Sequence, residues 1–240
     1  MADGLVIEPM GEDFILWRCL HGGPLTKQSI EEWPTPDTMG WESRRAMNVP
    51  VLRQITKAYG ACAILARDGD KVVGSLRFYP KALCSVGGGL CLQGAPSGPS
   101  DLLAAKGLPS QEQMADKALR VHCMATGSPF QADNPYQRKG IGSQMVRELI
   151  RWAARHGWDA IEAGAFEDLP ILYEHAGGAG KRFWEKLGFR VVASERKPRR
   201  EILGHLPAVM REQAVAQGLD PDIAEMYTMR LGKGEPGWAI

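Results

Sequence analysis

The chain has 240 residues, of which 44% are hydrophobic and 24% charged, a composition typical of a globular protein with a sizeable core. It carries 29 Lys and Arg residues against 28 Asp and Glu residues, so no global field steers it towards nucleic acid or an anionic membrane. We therefore expect neither as a partner, and any site for an anion must be local.

The N-terminal stretch MADGLVIEPMGEDF lacks the basic flank and the small-residue cleavage pattern of a signal peptide. No apolar run approaches the roughly 20 residues that a membrane-spanning helix requires. The five cysteines are scattered and odd in number, which suits a reducing compartment better than a disulfide framework. These features predict a cytoplasmic protein.

Hydrophobic spacing predicts a strand, two helices and a β-hairpin in the first third of the chain. An aliphatic strand at 5–8 is followed by helical spacing at 11–20. Asn48 can cap the next helix, which is entered through a proline and stopped by a glycine. Apolar runs at 61–66 and 72–79, separated by RDGD, predict a β-hairpin.

The middle of the chain alternates between loop-like and regular patterns. A glycine-rich excursion at about 85–117 is not a convincing domain boundary, because neither flank looks complete alone, so we predict one domain over 1–240. A strand at 118–125, an amphipathic helix that starts at Ile141 and a strand at 158–166 follow. A crossover helix between two strands favours a parallel or splayed pair.

The last quarter continues with alternating helices and strands. The segment FWEKL predicts a helix that Gly188 stops, and a strand follows at 189–193. A further helix is predicted at 206–219 and a terminal strand at 224–231.

The hexapeptide QRKGIG, residues 137–142, lies where a strand gives way to a helix. The first backbone N–H groups of a helix have no intrahelical partner, and the helix dipole adds roughly half a positive charge there. Two glycines let a phosphate approach the backbone without meeting a Cβ. The pattern predicts an anion site, and a diphosphate is the natural ligand.

Two common nucleotide loops do not match this stretch. A Walker A loop needs GxxxxGK[ST] and a dinucleotide fingerprint needs GxGxxG, whereas Gly140 and Gly142 are followed by Met145. The stretch instead resembles motif A of the GNAT superfamily of acyl-CoA-dependent N-acyltransferases, [QR]xxGx[GA], through Gln137, Gly140 and Gly142. This resemblance implies binding of the CoA pyrophosphate, with acetyl-CoA as cosubstrate.

The order of elements resembles the same family over roughly residues 5–231. FWEKLGF is similar to the family's YxKxGF region, with Lys186, Gly188 and Phe189 matching. The resemblance implies an α/β (α+β) fold in three layers. Its centre would be a mixed, mostly antiparallel sheet of about seven strands, splayed between the fourth and fifth and flanked by helices.

Three positions depart from the family pattern. Trp184 stands where the family commonly has a tyrosine that protonates the leaving thiolate, and an indole cannot usefully donate a proton. An asparagine that often opens the same helix is replaced around Gly177 and Gly178, and the link from 118–125 to Gln137 is longer than usual. The departures weaken the catalytic assignment more than the cofactor assignment.

The resemblance implies that the thioester lies along the splay, where a free backbone N–H near Cys123 to Ala125 can polarise its carbonyl. The predicted cofactor-binding residues combine that strand segment with the loop and helix start. They are Cys123, Met124, Ala125, Gln137, Arg138, Lys139, Gly140, Ile141, Gly142 and Ser143.

Direct attack by an amine in a ternary complex requires a base and favours an acid. His122 is the first candidate base, because an unperturbed imidazole has a pKa near 6.5 and the residue lies beside the predicted thioester site. Glu162 and Glu167 are further candidates, acting directly or through water. Tyr173 and His175 are the best replacements for the missing acid.

Other interpretations stay open at this point. Cys123 beside His122 could form an acyl-enzyme. Cys84, Cys91, His122 and Cys123 could form a zinc site, but no CxxC pair exists and the spacings are irregular, so we predict no metal. Trp33, Trp41 and Tyr79 are candidates to line an acceptor pocket. The sequence does not identify the acceptor.

Three functions therefore compete. The predicted one is an N-acetyltransferase that acetylates a primary amine of a small molecule or peptide. The alternatives are a non-catalytic CoA-binding or regulatory module on the same fold and, more distantly, a nucleotide-phosphate enzyme that uses the same helix start. An isologous homodimer is the default expectation for its assembly.

Overall fold

The computed structural model describes residues 4–18, 20, 24–31, 41–84, 108–127, 134–175, 179–201 and 207–238. Within them, the strands are β1 (Leu5–Pro9), β2 (Ala63–Asp68), β3 (Lys71–Pro80), β4 (Ala118–Thr126), β5 (Ala160–Phe166), β6 (Arg190–Pro198) and β7 (Ile223–Gly232). The helices are α1 (Lys27–Glu31), α2 (Trp41–Tyr59), α3 (Lys81–Cys84), α4 (Ile141–Arg155), α5 (Pro170–His175), α6 (Lys181–Glu185) and α7 (Pro207–Ala216).

All seven strands form one sheet in the order β1-β2-β3-β4-β5-β7-β6. Each neighbouring pair is antiparallel except β4 and β5, which are parallel. Helix α4 is the crossover that a parallel pair requires, because it connects the end of β4 to the start of β5. The predicted mixed, mostly antiparallel sheet of about seven strands is confirmed.

Helix α4 forms as its amphipathic pattern predicts. Its apolar stripe is fully buried against the sheet, whereas Glu148 on the outer face pairs with Arg151 and Arg155. Gly157, at φ 73°, supplies the left-handed turn beyond the helix end. The helix is therefore held rigidly, and its N-terminus has a defined position beside β4.

Helix α4 covers one face of the sheet, and other segments cover the opposite face. On β3, Phe78 packs against Trp152 of α4, with ring centroids 5.0 Å apart. Successive strand residues alternate between faces, so Arg77 points away from α4. Its guanidinium donates to the carbonyl of Leu16 at 2.9 Å, and Asn48 of α2 donates to the carbonyl of Trp17 at 3.3 Å. This gives the predicted three layers.

The predicted helix at 11–20 is wrong for residues 11–18, which form turns and extended chain. Phe14, Ile15, Leu16 and Trp17 are all buried in succession, which a single helical face cannot achieve. Arg77 also bonds to carbonyls of this segment that a helix would use internally. Tertiary contacts therefore override the helical spacing.

The predicted cap at Asn48 is also wrong, because α2 begins at Trp41 and contains Pro50. Asn48 is buried inside the helix and bonds across to the carbonyl of Trp17. The predicted glycine-rich excursion falls mostly at 85–107, outside the described residues, as do Gly177 and Gly178.

Candidate functional site

The parallel strands β4 and β5 pair only at their beginnings. Their register runs from Ala118 opposite Ala160 to Val121 opposite Ala163 and then stops. Both strands continue for several residues beyond this point. We call the gap between residues 122–126 of β4 and 164–166 of β5 the cleft.

A β-bulge lies one residue beyond the last β4–β5 pair. On β3, Arg77 pairs with Cys123 and Phe78 pairs with Val121, so His122 is an extra residue in β4. A bulge bends its strand and increases the local twist. The bend accounts for the separation of β4 from β5 at this position.

The start of helix α4 faces the end of β4. Arg138, at φ 57°, and Gly140, at φ 75°, both adopt left-handed backbone conformations immediately before the helix. Alternating conformations of this kind turn successive N–H groups towards a common point, which suits an anion. The first intrahelical bond runs from the N–H of Gln144 to the carbonyl of Gly140 at 3.1 Å.

The two glycines of QRKGIG serve different purposes. Within the described residues, a Cβ added at Gly140 would meet no atom within 4 Å, so the space above this residue is open. A Cβ at Gly142 would lie 3.3 Å from Sδ of Met124 and 3.8 Å from Cζ of Phe183. Gly140 therefore provides the backbone conformation, and Gly142 permits close packing of α4 against β4 and α6.

A cavity of about 280 Å³, the helix-start pocket, lies between the end of β4 and the start of α4. Eight of the ten predicted cofactor-binding residues line it: Met124, Ala125, Gln137, Arg138, Gly140, Ile141, Gly142 and Ser143. Cys123 is not among its lining residues, and Lys139 lines a neighbouring cavity of about 670 Å³. That these residues bind a cofactor stays a prediction.

Sequence reasoning missed part of the pocket wall. Thr126, Tyr136, Ala179 and Phe183 also line the helix-start pocket. Phe183 is adjacent to position 184 of the family motif, and Tyr136 directly precedes QRKGIG. Both could therefore have been selected because they adjoin a motif. Ala179 comes from a loop that no motif marks.

Among the candidate catalytic residues whose side chains the structure describes, Tyr173 alone lines the helix-start pocket. Its hydroxyl donates to Oδ1 of Asp168 at 2.5 Å, and the Asp168 carboxylate also accepts the N–H of Arg182 at 3.2 Å. Burial raises the pKa of Tyr173, and the bond to Asp168 raises it further. The hydroxyl is therefore protonated and held in place, through an aspartate that sequence reasoning did not select.

His122 lies at the bulge, partly buried, with its ring centroid 5.8 Å from that of Tyr79. Burial and the nearby positive charge of Arg77 lower its pKa to about 4. The imidazole is therefore neutral at physiological pH. It does not belong to the wall of the helix-start pocket.

Glu162 is buried in a group of five ionised side chains on the face opposite α4. Its Oε1 accepts from Arg230 at 2.6 Å and from Lys81 at 2.8 Å. Burial raises the pKa of Glu162, but these hydrogen bonds outweigh burial and leave it below its ordinary value. We call this group the charged cluster: Lys81, Asp116, Arg120, Glu162 and Arg230.

Glu167 also forms an ion pair, with Arg199. Its Oε2 lies 2.5 Å from Nη1 of the buried Arg199, and its Oε1 accepts the N–H of Glu225 at 3.2 Å. These contacts join the end of β5 to the region beyond β6 and to β7. Glu167 does not line the helix-start pocket.

Trp184, where the family commonly has a tyrosine, lies in the hydrophobic core. It is 2% exposed and makes edge contacts with Phe183 and Phe189 at centroid distances of 5.1 and 5.0 Å. The neighbouring residue, Phe183, faces the pocket instead.

The remaining candidates have the following positions. Tyr79 is fully buried, so it does not line an open acceptor pocket. Trp33 and Cys91 lie outside the described residues, as do the side chains of Trp41 and His175.

Among the described residues, no group of three or more His, Cys, Asp or Glu side chains is placed to hold a metal ion. Nor is any helix in that part of the chain long and apolar enough to cross a bilayer.

Comparison with protein families supports the resemblance drawn from QRKGIG. Residues 130–189 match the family described as the Acetyltransferase (GNAT) family, which confirms the predicted resemblance over this quarter of the chain. The matched segment contains the loop, α4, β5, α5 and α6. A sequence search of curated proteins finds no match.

Several solved structures are similar to the chain at low identity. Ard1 from Thermoplasma volcanium is 12% identical, with 95% of this chain and 97% of that chain covered and a TM-score of 0.43. A GNAT family acetyltransferase from Elizabethkingia anophelis with acetyl-CoA bound is 14% identical, with 95% and 99% covered and a TM-score of 0.42. A polyamine N acetyltransferase of Drosophila melanogaster is 14% identical, with 95% and 99% covered and a TM-score of 0.44. Scores this low add no weight beyond the family match.

Proposed function

The chain carries a GNAT acetyltransferase segment at residues 130–189, and we propose that it is an N-acetyltransferase that uses acetyl-CoA as cosubstrate. In this proposal the acetyl group passes to a primary amine of a small molecule or peptide by direct attack in a ternary complex. The protein acts as one domain over 1–240.

One observation carries the proposal: the anion site at the start of α4 and the cleft between β4 and β5 are connected by the helix-start pocket. The start of α4 presents backbone N–H groups beside Gly140, and the helix-start pocket leads from there to Met124 and Ala125 at the cleft. A diphosphate at the helix start would place an attached chain along β4. The arrangement suits a long cosubstrate with an anionic middle and a reactive end.

The thioester of acetyl-CoA supplies an activated acetyl group, and the chain's own residues position and polarise it. We assign this to the backbone around Cys123 to Ala125, which lies just past the bulge, where β4 no longer pairs with β5. An N–H held there would polarise the carbonyl without reorganising during the reaction.

The candidates for proton transfer are His122, whose pKa is lowered, and Tyr173, whose pKa is raised. His122, with a pKa of about 4, is neutral and accepts a hydrogen bond, but it is a weak base towards an ammonium ion. The Tyr173 hydroxyl donates its one proton to Asp168, so it would have to turn away from that carboxylate to bond to a departing thiolate. Its pKa is raised well above that of a thiol, so it would then stabilise the thiolate by a hydrogen bond more easily than by full proton transfer. Glu162 and Glu167 are less suited, because both are engaged in ion pairs.

Calorimetric titration with acetyl-CoA, CoA and ATP tests the cosubstrate. We expect micromolar binding of acetyl-CoA and CoA and much weaker binding of ATP. Thiol release is then followed with a panel of amines, amino acids, aminoglycosides and peptides. Tighter binding of ATP than of CoA would contradict the proposal and favour a nucleotide-phosphate enzyme.

Tyr173→Phe tests the contribution of the hydroxyl in the pocket. We expect kcat to fall roughly fivefold to tenfold, the value of one lost hydrogen bond, with KM for acetyl-CoA nearly unchanged. Tyr227→Phe is the matched control, because its hydroxyl bonds to Glu225 at 3.1 Å and does not line the helix-start pocket. An unchanged kcat in Tyr173→Phe would remove this residue from the reaction.

The second candidate function is a non-catalytic CoA-binding or regulatory module. It is favoured by the burial of Trp184 and by the ion pairs that occupy Glu162 and Glu167. Binding of acetyl-CoA with no thiol release on any amine would support the module. A cytoplasmic location and a homodimer stay predictions.

A further inference from the structure

The charged cluster borders the cleft on the face opposite α4. Arg120 of β4 pairs in register with Glu162 of β5, which pairs with Arg230 of β7, so all three side chains share one face. Tyr79 pairs with Arg120, and it alternates with Phe78, which faces α4. The helix-start pocket and the charged cluster therefore approach the cleft from opposite faces.

Two of the three cations neutralise the two carboxylates. Lys81 lies 2.8 Å from Glu162 and 3.0 Å from Asp116, and Arg230 lies 2.6 Å from Glu162 and 2.9 Å from Asp116. The hydrogen bond from Arg230 is the largest of the effects that lower the pKa of Asp116 to about 2. Both carboxylates are therefore ionised at neutral pH and fully matched by Lys81 and Arg230.

Arg120 is the surplus positive charge in the charged cluster. Its Nη1 lies 3.5 Å from Oε2 of Glu162, which is its one ion pair within the described residues, and its side chain is 33% exposed. A contact of that length contributes little to stability, since Glu162 already has two shorter partners. A guanidinium has five N–H donors, so most of its donor capacity is unused by carboxylates.

The guanidinium of Arg120 points towards the base of the cleft. Its Nη2 lies 3.8 Å from the position that a Cβ would occupy on Gly164. Gly164 is the first residue of β5 beyond the last pair with β4, and it has no side chain to fill this space. On the other strand, His122 at the bulge is two positions from Arg120.

We propose that Arg120 binds an acidic group on the acceptor, so that the substrate is an amine that also carries a carboxylate or a phosphate. This inference rests on the proposed acetyltransferase function. The acceptor enters from the face of the charged cluster, opposite the cosubstrate in the helix-start pocket. Its acidic group pairs with the planar guanidinium, and its amine is then directed towards the bulge in β4.

The test compares amines in matched pairs that differ in the acidic group. The pairs are arginine with agmatine, ornithine with putrescine, tyrosine with tyramine, and glucosamine 6-phosphate with glucosamine. We expect the acidic member of at least one pair to have a kcat/KM at least roughly tenfold higher, and this preference to shrink as salt is added. The phosphate pair and the carboxylate pairs show which acidic group is recognised.

Arg120→Gln then assigns the preference to this side chain. We expect kcat/KM for the favoured acidic member to fall roughly tenfold to a hundredfold, and for its partner less than about threefold. The control is Arg196→Gln, since Arg196 also makes a 3.5 Å ion pair, with Asp220, on an exposed part of β6. Calorimetry with acetyl-CoA verifies that both variants keep the cosubstrate site.

The outcomes separate the two proposals. Acetyl transfer that ignores the acidic group, or favours the amine without it, overturns this inference and leaves the acetyltransferase function intact. Equal losses for both members of a pair in Arg120→Gln also overturn it, because the side chain would then act on the thioester or the fold. No thiol release with the eight amines or with the wider panel of aminoglycosides and peptides overturns the acetyltransferase function itself. If Arg120→Gln does not fold, the preference of the unmodified protein and its salt dependence decide.

Discussion

The two sides of the cleft are built by different means. On the side of α4, backbone groups form the site: the helix N-terminus, a left-handed loop and two glycines. On the opposite side, the charged cluster is built entirely from ionised side chains, contributed by five separate parts of the chain. The first arrangement suits a cosubstrate that is the same in every reaction. In the second, Arg120 is held by one long ion pair, so its substitution can change the preference for an acceptor while the other four ions stay paired.

The two sides also differ in how their charge is held. The positive end of the α4 dipole cannot be titrated or removed by changing one side chain. In the charged cluster, each ion depends on its neighbours, because Glu162 has a side-chain exposure of only 6%. Substitutions on the two sides should therefore have different consequences, for binding on one and for stability on the other.

The largest effect is expected for Glu162→Gln. Lys81 and Arg230 share two carboxylates and would lose the buried one, keeping only the more exposed Asp116, so the free energy of unfolding should fall by about 3 kcal/mol. Urea denaturation measures this loss. Glu195→Gln, on a side chain that is 57% exposed, should change it by less than about 0.5 kcal/mol. Equal losses in the two variants would contradict the distinction drawn for the charged cluster.

Gly140→Asp should act on binding and leave the fold in place. The residue has open space around its Cβ position, and Asp is among the side chains that tolerate a φ of 75°. Its carboxylate would repel a diphosphate, so affinity for CoA should fall roughly a hundredfold, or about 3 kcal/mol.

Gly140→Asn is the matched control for that substitution. Asn has nearly the same shape and the same tolerance for a positive φ, but it carries no charge. Calorimetry should show less than about a tenfold loss of CoA affinity. Similar losses for Asp and Asn would mean that space, and not charge, governs this loop.

His122, which lies between the two sides, predicts how stability depends on pH. Its folded pKa of about 4 is below the unfolded value of 6.5, so the unfolded chain binds more protons between these values. Stability that is fully present above pH 6.5 should therefore be lost as the pH falls towards 4, by about 2 kcal/mol after allowance for partial exposure. Urea denaturation at several pH values should show a smaller loss over this interval in His122→Gln. The same slope in both proteins would contradict the prediction.

Gly180→Ala should give the smallest effect. A Cβ there would overlap the Asp168 carboxylate and the Tyr173 hydroxyl, although its φ of −71° suits any residue. Displacing this pair should lower the free energy of unfolding by roughly 1–2 kcal/mol and reduce kcat as Tyr173→Phe does. In Gly232→Ala the nearest atom would be 3.6 Å away, so we expect little change. An unaltered kcat in Gly180→Ala would mean that the pair does not position Tyr173.

The backbone side of the cleft could be predicted from the sequence because it is contiguous. Gln137, Gly140 and Gly142 stand within six residues, and the amphipathic pattern of α4 follows at once. Helix starts have a fixed geometry, so local order was enough to predict the loop and most of the residues that line the helix-start pocket. The strand order and the splay followed from the resemblance to a family.

The charged cluster could not be predicted in the same way. Arg230 and Asp116 are separated by 114 positions, and no spacing rule connects them. Glu162 was selected as a candidate base because of its strand, but only the register of β4, β5 and β7 shows the cations around it. Likewise, the sequence places Trp184 in a motif but does not say whether a short helix turns that position towards the core or the pocket.

The bulge at His122 has a consequence for how such a cleft could arise. The pairs on either side of it, Arg77 with Cys123 and Phe78 with Val121, keep the ordinary alternation of faces. Deleting His122 would therefore restore a continuous ladder with β3 without turning any other side chain of β4 to the wrong face. A continuous β3–β4 ladder and the bent strand that lines this cleft therefore differ by a single inserted residue.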